Sequence, residues 1–479
     1  MERWPLYIDG AFIWETDRPA LTVVNPARGD VIAQVPTAPP ELVDRAVAAA
    51  DRAFGPWAAK PARERAELLL RAARLMRDRL DELATLLTRE QGKPLAEARG
   101  EIQISAEYLE WNAEEAKRLY GETIPASVAH KRLFALRQPV GVAAAITPWN
   151  FPSSMITRKI GPALAAGCPV VVKPASATPL SAIALMKIFD EVGFPPGVVN
   201  LVVGPSREIA GRLLADRRVR KISFTGSTEV GKELMRQAAD TMKRVSLELG
   251  GHAPFLIFDD ADLDAAVSGV IASKFRNAGQ TCICANRLYV QRGVAEAVEE
   301  LLARKIAALR VGDGLEPGVE IGPLIDEQAV EKVDRHVKDA VTHGGKLVVG
   351  GTRLELPGLS RQFYAPTLVL DPPKTALVAE EETFGPLIPM WTFETEEEAL
   401  ALANNTPYGL AAYFYATDVR RVIRIAEGLE YGIVGANDPV PTVVQAPFGG
   451  VKESGVGREG GHQGLDEYTY WKFLSLGIG

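Results

Sequence analysis

Cysteine and histidine are both scarce in this chain, whose 479 residues include three cysteines and five histidines. The cysteines are Cys168, Cys282 and Cys284. Three thiols cannot build a disulfide scaffold, and neither residue type is clustered at a spacing typical of metal ligands. We therefore expect no resident metal. Each thiol is expected to serve either in core packing or in chemistry.

Long apolar runs and an excess of positive charge are absent as well. No stretch approaches the roughly 20 apolar residues that cross a bilayer, and the opening "MERWPLYIDG" does not resemble a signal peptide. The net charge is -7, whereas nucleic acids and anionic membranes attract basic surfaces. These absences predict a cytoplasmic protein that binds neither nucleic acid nor membrane. A few arginines focused in one pocket would still bind a small anion.

The pattern of apolar residues changes along the chain. From about residue 39 to 116 it has helical periodicity, with charged residues in between, which predicts an exposed helical layer with solvated charges. From 136 to 258, and again from about 250 to 449, short apolar runs alternate with helical stretches. This alternation predicts two α/β units with parallel sheets, which bind ligands beyond the carboxyl ends of their strands. The ending "LDEYTYWKFLSLGIG" predicts a strand that pairs with a neighbouring subunit.

The segment "GQTCICANR" (279–287) contains two of the three cysteines. Cys282 follows a glycine, a glutamine and a threonine, an irregular polar setting that is unusual in a packed core. Cys168, by contrast, precedes an apolar run in "AAGCPVVV", as a buried cysteine commonly does. A thiol acts as a nucleophile in a partly exposed, electropositive setting. Cys282 is therefore the candidate nucleophile.

An acyl-forming thiol also needs a base and donors for an oxyanion. Glu248 in "SLELGGHAP" ends a predicted strand ahead of two glycines, which favours a position in a cleft. Asn150 in "ITPWNFP" carries an amide NH2 on a loop stiffened by prolines. It can donate to an oxyanion together with the backbone N–H of Cys282. The alternatives are a surface charge for Glu248 and a turn residue for Asn150.

One segment has the character of a phosphate site. In "SFTGSTEVG", Gly226 and Gly231 follow a predicted strand and open a helix, whose free N–H groups favour an anion. The three-glycine dinucleotide fingerprint is absent, so this signal is weak alone. Lys173 in "VVKPAS" ends a strand at the same sheet edge, within reach of a ribose or a phosphate.

Seven motifs, in this order, resemble the aldehyde dehydrogenase superfamily over essentially the whole chain. They are "TPWNFP" (147–152), "VVKPAS" (171–176), "FTGSTEVG" (224–231), "LELGG" (247–251), "GQTC" (279–282), "EETFGP" (381–386) and "PFGGVKESGVGREGG" (447–461). The resemblance implies an α/β fold with two Rossmann-like domains and a small β extension for oligomerisation. The implied division is 1–117 and 139–249 for NAD(P) binding, 250–449 for catalysis, and 118–138 and 462–479 for oligomerisation as a homodimer or homotetramer.

The activity implied by the resemblance is the NAD(P)-dependent oxidation of an aldehyde to an acid. Cys282 attacks the aldehyde, and Asn150 with the Cys282 N–H holds the oxyanion of the resulting thiohemiacetal. Hydride transfer leaves a thioester, and Glu248 activates the water that releases the acid. Further positions match cofactor contacts of the family: Trp149, Gly226, Ser227, Leu249, Glu382 and Phe384.

Ser176 bears on the choice of cofactor. Members of the family that prefer NAD often carry a glutamate at this position, and a carboxylate there repels the 2'-phosphate of NADP. A hydroxyl beside Lys173 tolerates that phosphate. We therefore expect NADP to be accepted, and whether it is preferred over NAD is left open.

Two arginines bear on the substrate. Arg158 in "MITRKIG" and Arg276 in "KFRNAGQTC" match the arginines that clasp the substrate carboxylate in succinate-semialdehyde dehydrogenases. This implies a short semialdehyde with a terminal carboxylate, such as succinate or glutarate semialdehyde. Thr442, in "NDPVPTVVQAPFGG", stands where that branch usually has a serine, so the preferred chain length stays open.

Alternatives remain at this stage for the second cysteine and for the activity. Cys284 is predicted either to pack or to form a reversible disulfide with Cys282 that switches the enzyme off. A broad-specificity or betaine-type aldehyde dehydrogenase is the main rival activity. An inactive binding relative and a thiol hydrolase are the other two. An aldehyde panel with NAD and NADP separates them.

Overall fold

The structure is a computed structural model that describes residues 2–479. Its strands, in chain order, are β1 (Glu2–Arg3), β2 (Leu6–Ile8), β3 (Ala11–Ile13), β4 (Leu21–Val24), β5 (Val31–Val35), β6 (Glu122–Ile124), β7 (Lys131–Pro139), β8 (Val142–Ile146), β9 (Val170–Lys173), β10 (Val199–Leu201), β11 (Val219–Thr225), β12 (Arg244–Glu248), β13 (Ala253–Ile257), β14 (Ala285–Gln291), β15 (Lys346–Val349), β16 (Arg353–Leu354), β17 (Phe363–Tyr364), β18 (Thr367–Leu370), β19 (Leu387–Phe393), β20 (Ala411–Tyr415), β21 (Ile433–Ala436), β22 (Gly455–Val456) and β23 (Thr469–Gly477).

The helices are α1 (Pro40–Ala59), α2 (Ala62–Asp78), α3 (Leu80–Gln91), α4 (Leu95–Ala116), α5 (Ser154–Ala166), α6 (Leu180–Glu191), α7 (Ser206–Ala215), α8 (Thr228–Ala239), α9 (Leu263–Lys274), α10 (Ala295–Ala307), α11 (Glu327–Thr342), α12 (Leu377–Glu380), α13 (Glu396–Asn404), α14 (Val419–Gly428) and α15 (Gln463–Asp466). Short 3₁₀ turns lie at Arg276–Gly279, Arg292–Val294 and Lys452–Ser454. Among the described residues, no helix has both the length and the apolar character needed to cross a membrane.

The first large sheet has eight strands in the order β22-β12-β11-β8-β9-β10-β2-β3. Its five middle strands, from β12 to β10, are parallel, and its edges are antiparallel. Every residue of β8 and β9 is buried, since helices cover both faces. The prediction of a parallel α/β unit in this part of the chain is confirmed.

The second large sheet has seven strands in the order β15-β18-β19-β14-β13-β20-β21. All neighbours are parallel except β15, which runs antiparallel to β18 at one edge. A second α/β unit is therefore confirmed. After β21 the chain returns to the first sheet, where β22 pairs with the end of β12. This return carries the motif at 447–461 to the carboxyl end of β12.

The third sheet has the order β23-β7-β6. The C-terminal strand β23 pairs with β7 along its whole length, from Thr469 opposite Pro139 to Gly477 opposite Lys131. The prediction of a terminal strand is confirmed. One edge of the strand pairs within the same chain, and the expected pairing with a neighbouring subunit stays a prediction. Within residues 2–479 the outer edge of β23 pairs with no other strand.

The helical layer predicted between residues 39 and 116 consists of α1 to α4. The expectation that its charges are solvated is wrong for Glu90, Lys93 and Glu101, which are all buried. The reason is tertiary, because α3 packs against α6, and α4 packs against both α2 and α5. Periodicity shows which side chains share a helix face, but not whether another helix covers that face.

Candidate active site

A cavity of about 280 Å³ reaches Cys282. Its walls come from α4, from the loop and first turns at 151–158, from the segment 276–283 and from the loop at 440–448. Apolar and aromatic side chains form much of this wall, together with two arginines and two glutamates. Such a concave, mostly apolar site with a small number of polar groups is typical of ligand binding.

A tight turn places Cys282 at this cavity. Helix α9 ends at Lys274, and Asn277 and Ala278 then take left-handed φ angles of 51° and 54°. Gly279 follows with φ 74°, and a Cβ atom there would lie 2.2 Å from the carbonyl oxygen of Gly385. Cys282 is partly exposed although its two predecessors are buried. The turn therefore presents the thiol to the cavity.

The surroundings of Cys282 keep it protonated at neutral pH. Burial raises the pKa of the thiol, the charge of Arg158 acts in the opposite direction, and the carboxylates of Glu382 and Glu248 raise the pKa further. A thiol with a raised pKa reacts slowly until a base accepts its proton. These couplings also show that Arg158, Glu248 and Glu382 are electrostatic neighbours of the sulfur.

Glu248 is the last residue of β12 and is 2% exposed. Among the described residues its Oε2 atom has no hydrogen-bond partner. Burial raises the pKa of Glu248 well above its ordinary value, the nearby Glu459 raises it further, and Arg158 and Lys159 oppose the rise. A buried carboxyl group with a free oxygen and a raised pKa is suited to take a proton from water.

Room for this carboxyl group comes from the glycine pair that follows Phe448. A Cβ atom on Gly449 would lie 2.8 Å from Oε1 of Glu248 and 2.8 Å from the carbonyl oxygen of Gly457. Gly449 also has a φ of 158°. A larger residue at this position is therefore expected to displace Glu248.

Asn150 lies against the segment that carries the nucleophile. Its Nδ2 atom donates to the carbonyl oxygen of Gln280 at 3.1 Å, which leaves the second amide hydrogen free. The backbone carbonyl oxygen of Asn150 accepts from Lys93 Nζ at 2.8 Å and from Asn277 Nδ2 at 3.1 Å. The amide is thus held beside the Cys282 loop, where an oxyanion donor is required.

The two arginines predicted to bind the substrate both line the cavity, but only Arg158 forms an ion pair among the described residues. Arg158 is buried, its Nε atom lies 2.6 Å from Glu459 Oε2, and its guanidinium lies 4.0 Å from the ring centre of Phe448. Arg276 is half-buried, lies 5.1 Å from the ring centre of Phe151, and forms no ion pair within residues 2–479. Arg276 therefore keeps its guanidinium free of a direct ion pair, and its charge acts on the carboxyl group of Glu97, which lines the same cavity.

Glu459 also holds Lys159, the neighbour of Arg158. Lys159 is buried and contacts both Glu459 and the hydroxyl of Thr225, the latter at 2.6 Å. Although burial acts in the opposite sense, Lys159 and Arg158 hold the pKa of Glu459 below its ordinary value. Glu459 is therefore the ionised partner of these two cations. Glu459 lies in the motif at 447–461, but no sequence pattern marked this residue as part of the site.

The remaining predicted substrate residue, Thr442, lines the same cavity, on the loop opposite α4. Glu97 of α4 is another lining residue and accepts the backbone N–H of Asn277 at 2.9 Å. The structure thus brings Cys282, Arg158, Arg276 and Thr442 around one space, although no sequence pattern pointed to α4 as its wall.

The residues predicted for a dinucleotide lie at the carboxyl ends of the first sheet. Ser227 caps α8, and its Oγ accepts the N–H of Val230 at 3.4 Å. Lys173 ends β9 and contacts the hydroxyl of Ser206 at the start of α7. Burial lowers the pKa of Lys173 to about 8, which marks a dehydrated ammonium group with donors to spare. Ser176 donates to the carbonyl oxygen of Gly204 at 3.3 Å.

A second group of predicted cofactor residues lies nearer the cavity. The rings of Trp149 and Phe384 meet edge to face, with centres 5.6 Å apart, and Phe384 has a left-handed φ of 56°. Glu382 Oε1 accepts the N–H of Gly251 at 3.2 Å, and dehydration raises the pKa of Glu382 to about 7. A helix N-terminus, a dehydrated ammonium group and a half-buried carboxyl group fit the phosphate, ribose and nicotinamide ends of a dinucleotide.

The other two cysteines are buried. Cys168 is in the core, as predicted, with its thiol donating to the carbonyl oxygen of Tyr468 at 3.4 Å. Cys284 donates to the carbonyl oxygen of Gly279 at 3.3 Å, and its sulfur lies 3.7 Å from Lys274 Nζ. A disulfide with Cys282 requires Cys284 to leave these partners. The redox switch stays a prediction.

Comparison with known proteins agrees with this geometry. The model of the aldehyde dehydrogenase family matches residues 13–474. A glutarate-semialdehyde dehydrogenase of Pseudomonas putida is 52% identical over 476 residues, covering 99% of this chain and 98% of that protein. The succinate-semialdehyde dehydrogenase [NADP(+)] of Escherichia coli is 53% identical, covering 98% and 97%. The crystal structure of an Escherichia coli NADP-dependent enzyme matches with a TM-score of 0.98 at 52% identity, covering 100% of this chain and 98% of that one. The chain therefore belongs to the aldehyde dehydrogenase family.

Proposed function

We propose that this protein oxidises a short aldehyde with a terminal carboxylate, such as succinate or glutarate semialdehyde, to the corresponding dicarboxylic acid, using NADP or NAD. The observation that carries this proposal is the cavity itself, in which the guanidinium of Arg276, which forms no ion pair within residues 2–479, shares one small space with the thiol of Cys282. A guanidinium group binds a carboxylate through two parallel hydrogen bonds. The two relatives described above, a glutarate-semialdehyde dehydrogenase and a succinate-semialdehyde dehydrogenase, support this substrate class.

The first chemical step takes place at Cys282. Its sulfur bonds to the aldehyde carbon, the thiol proton passes to solvent, and the carbonyl oxygen becomes an oxyanion. The free amide hydrogen of Asn150 and the backbone N–H of Cys282 are the donors for that oxyanion. When bound, a nicotinamide dinucleotide supplies the acceptor for the hydride of the aldehyde carbon, and Cys282 is left acylated.

Most residues that would hold this cofactor lie at the carboxyl ends of the first sheet, and Glu382 and Phe384 lie between α12 and β19. Ser227 and the start of α8 suit a phosphate, Lys173 suits a ribose hydroxyl, and Glu382 with Phe384 suits the nicotinamide end. The set proposed from the sequence also contains Trp149, Ser176, Gly226 and Leu249. The hydrogen bond from the N–H of Gly251 to Glu382, which links the two groups, supports the assignment.

The second chemical step is hydrolysis of the thioester. Glu248 takes a proton from water through its free oxygen, the water oxygen bonds to the thioester carbon, and the carbon–sulfur bond breaks. The acid leaves, and Cys282 regains its proton. The raised pKa of Glu248 matches this role, because a general base works best with a pKa near the operating pH.

Replacing Arg276 with alanine tests the carboxylate contact. We expect kcat/KM for succinate semialdehyde to fall about 10- to 100-fold, in line with the loss of a hydrogen bond to a charged group. Oxidation of butanal, which has no carboxylate, is expected to change little. The measurement is initial-rate kinetics with a panel of anionic, neutral and cationic aldehydes, including one that ends in a sulfonate.

Arg276→Lys is the matched variant for charge without the planar fork, and it is expected to fall between the wild type and Arg276→Ala. Arg158→Ala is a less selective test, since it also leaves Glu459 without one of its partners. Equal losses for butanal and succinate semialdehyde in Arg276→Ala would contradict the proposed substrate class. In a separate measurement, kinetics with the C4 and C5 semialdehydes determine the preferred chain length, which Thr442 leaves open.

Ser176→Glu tests the cofactor assignment. We expect kcat/KM with NADP to fall about 10- to 100-fold, because a carboxylate repels the 2'-phosphate, and kcat/KM with NAD to be retained. Ser176→Gln is the control of equal size without the charge, and it should keep the wild-type preference. The same ratio of NADP to NAD efficiency in the wild type and Ser176→Glu would remove Ser176 from the cofactor site.

We further propose that the protein is cytoplasmic and forms a homodimer or a homotetramer, with the segments at 118–138 and 462–479 in the interface. Supporting this, Trp471 and Phe473 on β23 are 50% and 63% exposed, and exposed aromatic residues on a free sheet edge favour association. The division into a cofactor domain (1–117 and 139–249) and a catalytic domain (250–449) is part of the same proposal, as is the redox switch at Cys284.

A further inference from the structure

The segment "EQGKPLAEARGE" (90–101) joins α3 to α4 and turns its polar side chains toward the active site. Glu90, Lys93 and Glu101 are buried, and Gln91 is fully buried as well. Burial of charged groups costs free energy unless each group is paired and hydrogen-bonded. The partners of these side chains therefore show what the segment does.

Lys93 has three partners, and each lies on or near the loop that carries the oxyanion donor. Its Nζ atom donates to Glu101 Oε2 at 2.6 Å and to the carbonyl oxygen of Asn150 at 2.8 Å. It also lies 3.7 Å from the ring centre of Phe151. The ammonium group of Lys93 is thus fixed from three directions. It in turn fixes the peptide group between Asn150 and Phe151.

Glu101 extends this support to the beginning of α5. Its Oε1 atom accepts the N–H groups of Ser153 and Ser154 at 2.9 and 3.2 Å. These N–H groups lie at the helix N-terminus, where no carbonyl oxygen within the helix is available to them. The Lys93–Glu101 pair therefore holds the Asn150 loop at two points: Lys93 binds the backbone carbonyl of Asn150, and Glu101 binds the first N–H groups of α5.

The same segment holds the turn before the nucleophile. Gln91 Nε2 donates to Asn277 Oδ1 at 2.9 Å, and Glu97 Oε2 accepts the N–H of Asn277. Asn277 Nδ2 in turn donates to the carbonyl oxygens of both Asn150 and Gln280, at 3.1 and 3.2 Å. A left-handed residue such as Asn277 persists only where its surroundings fix it. The two loops therefore share one support.

We propose that Lys93 is a positioning residue for the oxyanion site: by fixing the Asn150 carbonyl, with Glu101 and Asn277, it sets where the free amide hydrogen of Asn150 points relative to Cys282. This inference rests on the role given to Asn150 in the proposed function. Because oxyanion stabilisation depends on donors fixed in advance, a small displacement of this amide lowers the rate of carbonyl attack.

Glu90 provides a matched control. Its two carboxylate oxygens accept the N–H groups of Leu180 and Ser181 at 2.7 and 2.8 Å, so it supports the start of α6 as Glu101 supports the start of α5. Glu90 is also fully buried, but within residues 2–479 its carboxylate bonds to the start of α6 and forms no hydrogen bond with Asn150. A general loss of packing is expected to appear equally in variants of Glu90 and Glu101.

The test compares two reactions of the Cys282 thiol that need no cofactor. With p-nitrophenyl acetate, the sulfur bonds to the acetyl carbon through an oxyanion, p-nitrophenolate leaves, and the thiol proton passes to solvent. With iodoacetamide, the sulfur displaces iodide from a saturated carbon, and no oxyanion forms. The ratio of the two rates reports the oxyanion site separately from the reactivity of the thiol.

For Lys93→Met we expect acylation by p-nitrophenyl acetate to slow by about 10- to 100-fold, with KM nearly unchanged and alkylation by iodoacetamide within twofold of the wild type. Glu101→Gln, which keeps the shape of the side chain, is expected to show a smaller loss of the same kind. Glu90→Gln should leave the ratio of the two rates unchanged. Thermal unfolding of each variant measures the loss of stability separately.

The effect of Lys93 is expected to pass through Asn150, so Lys93→Met should add little to Asn150→Ala in the double variant. Additive effects, an equal drop in alkylation, or the same ratio change in Glu90→Gln would assign Lys93 a general structural role and overturn the proposal. Should Lys93→Met fail to fold, Glu101→Gln decides by the same ratio. If the wild type reacts with the ester but oxidises no aldehyde, the proposed function fails while this inference stands.

Discussion

Replacing Cys282 with serine is expected to lower kcat/KM for aldehyde oxidation by a factor on the order of 10⁴ or more. Serine keeps the shape of the side chain, but its hydroxyl is a far weaker nucleophile at neutral pH than a thiol whose proton can be transferred. The partly exposed position of Cys282 in the cavity makes a steric effect of the substitution small. The measurement is the rate of nicotinamide reduction with succinate semialdehyde at saturating cofactor.

Two controls accompany this variant. Cys168→Ala removes a thiol that is buried away from the cavity, and it is expected to retain the activity of the wild type. The affinity for NADPH, measured by fluorescence titration, and the midpoint of thermal unfolding are expected to be the same in Cys282→Ser and the wild type, because the cofactor residues and the core are unchanged. Oxidation of the aldehyde at the original rate in Cys282→Ser would refute the assignment of the nucleophile and the mechanism built on it.

Replacing Glu248 with glutamine is expected to lower the steady-state rate by about 10²- to 10⁴-fold, the usual contribution of a general base. The acylation of Cys282 precedes the hydrolysis step, so a burst close to one reduced cofactor per subunit should survive. Stopped-flow absorbance measures the burst and the slow phase together. Loss of the burst along with the slow phase would place the main role of Glu248 before the thioester.

The pH profile of the wild type should carry the signature of Glu248. Burial raises the pKa of this carboxyl group, and the protonated form cannot accept a proton from water. The hydrolysis rate is therefore expected to rise with pH through the raised pKa and then level off. In Glu248→Gln this rise should disappear. A profile that keeps its rise in the variant would assign the titration to another group.

The residues proposed to carry the chemistry could be singled out from the sequence because each lies in a short local motif. Cys282, Glu248 and Asn150 stand in irregular segments at the ends of strands or helices, where local composition departs from that of a packed core. The alternation of strands and helices likewise predicted both parallel sheets, because apolar runs of β-branched residues indicate buried strands. These signals depend on neighbours in sequence.

The supports of the site could not be predicted in this way. The charges of Glu90, Lys93 and Glu101 lie in a polar stretch typical of a solvated surface, and only the packing of α3 against α6 and of α4 against α5 buries them. Glu459 meets Arg158 and Lys159 because β22 returns the chain to the first sheet. No local pattern encodes that meeting.

The C-terminal strand gives the same lesson at the level of the fold. Its aromatic alternation predicted a strand, but the choice of β7 as its partner depends on how the whole chain is routed. The sequence by itself pointed to the candidate nucleophile, base and oxyanion donor, through local motifs and a family resemblance, and it predicted the two sheets from local composition and period. Only the tertiary structure decided which charges are buried, which arginine is ion-paired and which side chains support the proposed reacting groups, because burial and ion pairing arise between segments that are remote in sequence.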